Sequence, residues 1–344
     1  MSGYVPGEQP SVGQRVIKLN TNENPYPPSP KVMAAIGAVA AEELRRYPNP
    51  TSDAFRDAAS RLWNIDREMI LAGNGSDDIL TIATRTFIPP GGTLAYPHPT
   101  YSLYPILAQL QDAKIATVPW ETGFQLPIDA LVATAADAIY LANPNAPTGT
   151  AVPPTAISEL ASCFDGLILV DEAYADFADE NCVGLVKAHA NVVVSRTLSK
   201  AYSLAGLRFG YAIGQPAVIS QMMKVKDSYN CDAISIAAAT AAIEDQPYAR
   251  QTWNDVRRER ERVSQELKQL GWDVLPSQAN FVLASPPGGD ARSIYAGLKT
   301  QGILVRYFDQ PGLDDKVRIT IGTPQENDAL LDGIRAISAG ETAG

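Results

Sequence analysis

The sequence predicts an α/β protein in which a mostly parallel sheet is flanked by helices and followed by a smaller α+β part. Up to about Gly214, short β-branched or apolar runs alternate with helical patterns, with no internal repeat and no low-complexity tract. Runs that are apolar on both sides suit strands covered on both faces of a parallel sheet. After Gly214 the pattern becomes almost entirely helical to about Leu270 and then mixes strands with helices. The 344 residues are 45% hydrophobic and 19% charged, enough for a packed core and too little charge for disorder. At roughly 150 residues per domain this length allows about two domains.

Taken in order, Ser29-Pro30 supplies an N-cap and a first-turn proline ahead of KVMAAIGAVAAEEL, which reads as one helix. Thr51 and Asp53 open a second helix through Trp63. Strands follow at MILA (69–72), TLAY (93–96), KIATV (114–118), AIYLA (138–142), GLILV (166–170) and NVVVS (191–195), with helices from Ser76 and from Thr100. LRFGYAIG (207–214) adds another strand. The charged run DVRRERERVSQELKQL (255–270) reads as a solvated helix face. Strands WDVL, ANFVLA, ILVRY and KVRITI and helices near 290–300 and 325–337 complete the chain. A domain boundary is expected between 240 and 265.

Composition excludes several classes of function. Lys and Arg number 28 against 38 Asp and Glu, a net charge of −10, so a nucleic-acid partner is disfavoured. A small anionic substrate fits if a few arginines gather in one pocket. Cys163, Cys182 and Cys231 are widely spaced, without C-x-x-C, which argues against a disulfide framework or structural zinc and for a reducing compartment. Two histidines, His98 and His189, leave little room for a histidine triad or a multi-histidine metal site, so no metal is expected. MSGYVPGEQPSVGQRV has no apolar signal core, and the longest apolar-rich stretch, Ala233 to Ile243, is about half a membrane span. The expectation is a cytoplasmic protein with no membrane partner.

The most informative chemistry lies in SRTLSKAYSLAGLRFG (195–210), where Lys200 follows an apolar strand beside Thr197, Ser199 and Arg208. Neighbouring cations favour a neutral, nucleophilic amine, and hydroxyls with a guanidinium can hold a phosphate. In VDEAYADF (170–177), Asp171 ends a buried strand and Tyr174 lies three residues on; a helix N-cap role for Asp171 is the bland alternative. Gly73-Asn74-Gly75-Ser76-Asp77 joins a strand to a helix and can offer backbone N–H groups to an anion.

Nine blocks in order, KLNTNENPYPPSP (18–30), RRYPNP (45–50), GNGSDD (73–78), HPTYSLY (98–104), NPNAPTG (143–149), VDEAY (170–174), SRTLSKAYSLAGLR (195–208), GILVR (302–306) and VRITIG (317–322), span almost the whole chain. In these blocks it resembles the fold type I pyridoxal-phosphate enzymes, in the aminotransferase branch that includes the histidinol-phosphate enzymes. The resemblance implies a large domain with a mostly parallel seven-stranded sheet and a smaller α+β C-terminal domain. It further implies an N-terminal arm over 1–30, a large cofactor-binding domain over 31–250 and a small domain over 251–344. The implied cofactor is pyridoxal 5'-phosphate.

Carried over by position, Lys200 matches the lysine that joins the cofactor covalently and moves a proton at the substrate α-carbon. Asp171 would pair with the ring nitrogen, Tyr174 would donate to the ring's phenolic oxygen, and Tyr101 would stack on the ring. Thr197, Ser199, Arg208 and the backbone of Ser76 and Asp77 would hold the phosphate. The family usually has asparagine immediately before the Pro-Thr-Gly of NPNAPTG, and here that residue is Ala146. Asn145 is then a candidate cofactor contact, with a turn-stabilising role as the alternative. For substrate, the resemblance points to Arg318, Arg306, Tyr4, Asn22, Tyr229 and Tyr47, the last lent across a homodimer interface and also reaching the cofactor. The implied reaction moves the amino group of histidinol phosphate to 2-oxoglutarate in histidine biosynthesis. An aromatic amino acid aminotransferase and an O-phosphothreonine decarboxylase-like lyase are the rival readings.

Overall fold

Seven strands line up in the spatial order Ile70–Gly73, Gly210–Ile213, Val192–Thr197, Leu167–Asp171, Ala138–Ala142, Thr93–His98 and Lys114–Pro119. Only Gly210–Ile213 runs antiparallel to its two neighbours; every other adjacent pair is parallel. The computed structural model describes residues 7–11, 13 and 15–340. Alternation along the strands feeds two apolar layers. Leu167 and Leu169 join Ile79, Leu107 and Met222 on one face, while Ile168 and Val170 join Phe55, Ile157 and Val256 on the other. This double burial is why the strands read as unbroken apolar runs.

The chain leaves strand Thr93–His98 for Lys114–Pro119 on one side and then returns to Ala138–Ala142 on the other. Connections diverging in this way open a crevice at the carboxyl ends of the strands. The ends at His98, Ala142, Asp171 and Thr197 all border that crevice.

Three helices, Pro216–Val225, Ala233–Glu244 and Gln246–Gln269, fill the stretch after Gly214 as expected. The boundary expected at 250 falls inside the last of them. Beyond it lies a four-stranded antiparallel sheet in the order Arg306–Tyr307, Val317–Thr320, Phe281–Ser285, Asp273–Val274. Helices Ala291–Thr300 and Pro324–Ser338 accompany it.

Three local readings differ from the structure. KVMAAIGAVAAEEL is two helices, Pro30–Ala38 and Ala41–Leu44, separated by extended backbone at Val39 and Ala40; the second buries no residue, so nothing holds it in line. The helix expected from Thr100 begins at Tyr104, where Pro105 enters the first turn. ILVRY is two strands: Ile303–Leu304 pairs in parallel with Ile17–Lys18, and Arg306–Tyr307 crosses to the antiparallel sheet. Helix Pro154–Cys163 went unread because its buried stripe is only Ile157, Leu160 and Ala161.

Behind the sheet's functional edge, Arg196 ion-pairs with Glu172 at 2.5 Å and with Asp176, and its guanidinium lies 4.8 Å from the centre of the Trp63 ring. All three charged side chains are nearly inaccessible. Arg196→Ala would leave two buried carboxylates without their cation and should cost about 3–5 kcal/mol of stability. Urea unfolding checks this; a loss under about 1 kcal/mol, the range of an exposed pair, would contradict it.

Candidate active site

The crevice is a cavity of about 480 Å³ lined by both sheets and by the segment from Asn20 to Asn22. One end is an anion cradle. Helix Ser76–Phe87 begins there with Gly75 as N-cap, and no side chain caps its first turn. Gly75 has φ 86°, and a Cβ there would lie 2.7 Å from Arg208 Nη2; a Cβ on Gly210 would lie 2.5 Å from Ser76 N. Glycine at both places lets the helix start approach the arginine closely. Arg208 itself adopts φ 53°, a conformation few non-glycine residues take. Its guanidinium donates to Ser199 Oγ at 3.1 Å and to Asp77 Oδ2 at 3.3 Å, while Thr197 Oγ1 lies 3.1 Å from Ser199 Oγ.

Asp171 ends its strand with the parity of Leu167 and Leu169, which turns it toward helix Tyr104–Leu110, where Tyr104 donates to Oδ2 at 3.2 Å. The other carboxylate oxygen, Oδ1, is buried with no partner among the described residues. Burial, helped by the charge of Asp77, pushes the Asp171 carboxyl up to about 7 despite the bonds from Tyr104 and the Ala173 backbone. A buried, under-satisfied carboxylate is costly unless a cation or donor joins it.

Lys200 is the one lysine among the described residues lining the cavity. Its Nζ donates to the Thr21 carbonyl at 2.9 Å. Burial brings its amine down to about 8; Arg318 and Arg208 act in the same direction, against Glu23 and Asp77. A useful share of the amine is therefore neutral near pH 8.

The small sheet supplies the opposite wall. Arg306 and Arg318 are direct partners across adjacent antiparallel strands, and both line the cavity. Like charges facing each other across a ladder are destabilising. Their guanidiniums both pack on Phe308, each 5.5 Å from its ring centre, and Arg318 also donates to the Asn20 carbonyl at 3.1 Å. The arrangement suits an anion that neutralises both.

Of the residues expected in the site, Asn22, Ser76, Asp77, Tyr101, Asp171, Tyr174, Thr197, Ser199, Lys200, Arg208, Arg306 and Arg318 line this cavity. Asn145 does not. Its amide donates to the Pro99 carbonyl and to Thr148 Oγ1, and its oxygen accepts from Thr100, which makes it a staple between two loops. Of the two roles left open for Asn145, the geometry favours the turn-stabilising one. Tyr47 and Tyr229 stack on each other at 4.4 Å on the surface, outside the cavity, with Tyr47 81% exposed. Tyr4 lies outside the described residues.

The family model for aminotransferase class I and II matches residues 14–334. The chain belongs to that family. Histidinol-phosphate aminotransferase 1 of Nostoc sp. is 48% identical to this aminotransferase over 335 residues, 97% of this chain and 95% of that one. The histidinol-phosphate aminotransferase of Syntrophotalea carbinolica is 46% identical over 337 residues, 98% of this chain and 97% of the relative. The crystal structure of the Sinorhizobium meliloti histidinol-phosphate aminotransferase in complex with pyridoxal-5'-phosphate superposes with a TM-score of 0.87 at 27% identity, covering 94% of this chain and 92% of that one.

Three contributors to the aminotransferase site were not read from sequence. Tyr104 supports Asp171, the Thr21 carbonyl holds Lys200, and Phe308 packs against both arginines. Only Tyr104 carried a signal, as a tyrosine at the start of an apolar helix, where burial obliges its hydroxyl to find a partner.

Proposed function

We propose that this aminotransferase uses pyridoxal 5'-phosphate to transfer the amino group of histidinol phosphate to 2-oxoglutarate, giving imidazole acetol phosphate and glutamate, in cytoplasmic histidine biosynthesis. The observation that carries the substrate reading is the facing pair Arg306 and Arg318. Two guanidiniums suit a phosphate dianion in one half-reaction, and one of them, Arg318, suits a carboxylate in the other.

The residues present fit the cofactor. Asp171 Oδ1, without a hydrogen-bond partner among the described residues, suits a protonated pyridine nitrogen, and the cradle of Ser76, Asp77, Thr197, Ser199 and Arg208 suits a phosphate. Bound there, the cofactor supplies an aldehyde and an electron-accepting ring. Asp171 would keep the ring nitrogen's proton in place by charge. Lys200 would provide the amine for the aldehyde and the base for the substrate's α-carbon proton. Tyr174 would donate to the ring's phenolic oxygen, and Tyr101 would cover the ring face. The working unit of this reading is a homodimer, in which Tyr47 and Tyr229, exposed together with Leu44 and Met33, meet the second subunit. Tyr4 would help bind the substrate phosphate.

Single-turnover absorbance measurements on arginine variants test the substrate assignment. Losing a charge-assisted pair in a desolvated pocket costs about 2–5 kcal/mol. Arg306→Ala should weaken the histidinol-phosphate half-reaction far more than the glutamate half-reaction, while Arg318→Ala should damage both. Equal losses in Arg306→Ala would argue for a structural role.

A further inference from the structure

Asn22 meets three separate parts of the fold. Its backbone N–H donates to Thr320 Oγ1 at 3.0 Å, and the same hydroxyl donates to Asn22 Oδ1 at 3.0 Å. Its carbonyl accepts from Asn280 Nδ2 at 2.9 Å. With the oxygen side of the amide held by Thr320, the NH2 side faces Tyr174, and Nδ2 donates to the Tyr174 hydroxyl at 2.9 Å. Asn22 is 1% exposed and has φ 59°, a backbone conformation asparagine takes more readily than most residues.

A phenol that accepts a hydrogen bond becomes a stronger donor, because the bonds polarise one another. Tyr174 lines the cavity, and its ring packs edge-on against Phe281 at 5.1 Å, close to Ala146 and Ala279. Ala146 also lines the cavity and has no amide to offer, and Asn145 spends its own on Pro99 and Thr148. We infer that Asn22 is a positioning residue for the cofactor's phenolic oxygen: it acts through Tyr174, strengthening that hydroxyl as a donor and offsetting the donor missing at Ala146. The inference rests on the cofactor reading above. It reassigns Asn22 from substrate contact to a relay that ties strand Val317–Thr320, the strand carrying Arg318, to the ring oxygen.

The measurement is the pH midpoint of the bound cofactor's visible absorbance in the holoenzyme, which reports how well the phenolic oxygen's negative charge is stabilised. The charged groups around it, Lys200, Asp171, Asp77, Arg208, Glu23, Arg306 and Arg318, stay unchanged in Asn22→Gly, while Asn22→Asp adds one carboxylate to them. Asn22→Gly keeps the left-handed backbone and removes the amide. It should raise the midpoint by about half a pH unit, the worth of one modest hydrogen bond. Asn22→Asp, with the same backbone tolerance and nearly the same volume, turns the donor into an acceptor that draws the Tyr174 proton away; it should raise the midpoint further. In a Tyr174→Phe background Asn22→Gly should not move it and the Asn22→Asp shift should shrink to that of the added charge alone, and adding Ala146→Asn should blunt the effect of Asn22→Gly.

An unmoved midpoint in Asn22→Gly, or an equal shift with and without Tyr174, would overturn the relay. A purely structural role would lower the melting temperature without moving the midpoint. If Asn22→Gly does not fold, Asn22→Asp decides by the difference between its shifts with and without the Tyr174 hydroxyl, which the added charge alone would leave equal. Failure of the wild-type protein to take up pyridoxal phosphate with a visible band would instead overturn the cofactor reading itself.

Discussion

Lys200→Ala is expected to lower turnover by about 10⁴-fold or more, because one amine serves as both nucleophile and proton carrier. Cofactor binding should persist in this variant, since the cradle of Ser76, Asp77, Thr197, Ser199 and Arg208 and the carboxylate of Asp171 are untouched. Borohydride reduction of the wild-type holoenzyme followed by peptide mapping should place the label on Lys200. Lys226 is engaged with the Pro50 carbonyl and Asn230, and Lys187 with the Asn64 carbonyl, both at the surface. A label on either, or on Lys224, would remove the chemical basis of the site.

The second large effect concerns Asp171 and the protein without cofactor. Its carboxyl is raised from 3.8 to about 7 in the fold, chiefly by burial. Between about pH 4 and pH 7 the unfolded chain has lost this proton while the folded chain keeps it, so folding stability falls as pH rises through that window. Above pH 7 the full cost is in place, on the order of 4 kcal/mol for a shift of this size. Asp171→Asn removes the titration. The apo variant should match the wild-type apoprotein near pH 4 and exceed it increasingly up to about pH 7, with the difference constant above that. Pyridoxal phosphate should stabilise the wild type more than the variant at pH 8, because a protonated ring nitrogen gives the buried carboxylate its missing partner. Urea melts at several pH values, with and without cofactor, check both statements. A pH-independent difference between variant and wild type would mean that Asp171 is satisfied within the apoprotein.

The strands of the large sheet were readable because burial on both faces writes contiguous apolar runs such as GLILV and NVVVS into the chain. Their spatial order was not, since it depends on pairings between segments far apart in sequence. The same division holds in the site. Lys200, Asp171 and Arg208 stand in motifs whose neighbours announce their chemistry. The contacts that tune them, Tyr104 to Asp171, Lys200 to Thr21 and Asn22 to Tyr174, join residues 67, 179 and 152 positions apart. No local pattern encodes such a meeting. The split of ILVRY between two sheets is a similar case: β propensity marks the run, but only the competing partners at Ile17–Lys18 and Val317–Thr320 decide where it breaks.

The most direct test of the whole account is a single-turnover ranking of amino donors. The purified holoenzyme is mixed separately with histidinol phosphate, phenylalanine, tyrosine and phosphothreonine while loss of the cofactor's visible absorbance is followed. Histidinol phosphate should react with the highest kcat/KM, without release of carbon dioxide, and subsequent addition of 2-oxoglutarate should restore the absorbance and yield glutamate. A faster reaction with phenylalanine or tyrosine, or carbon dioxide released from phosphothreonine, would contradict the assignment of Arg306 and Arg318 to a phosphate-bearing amine.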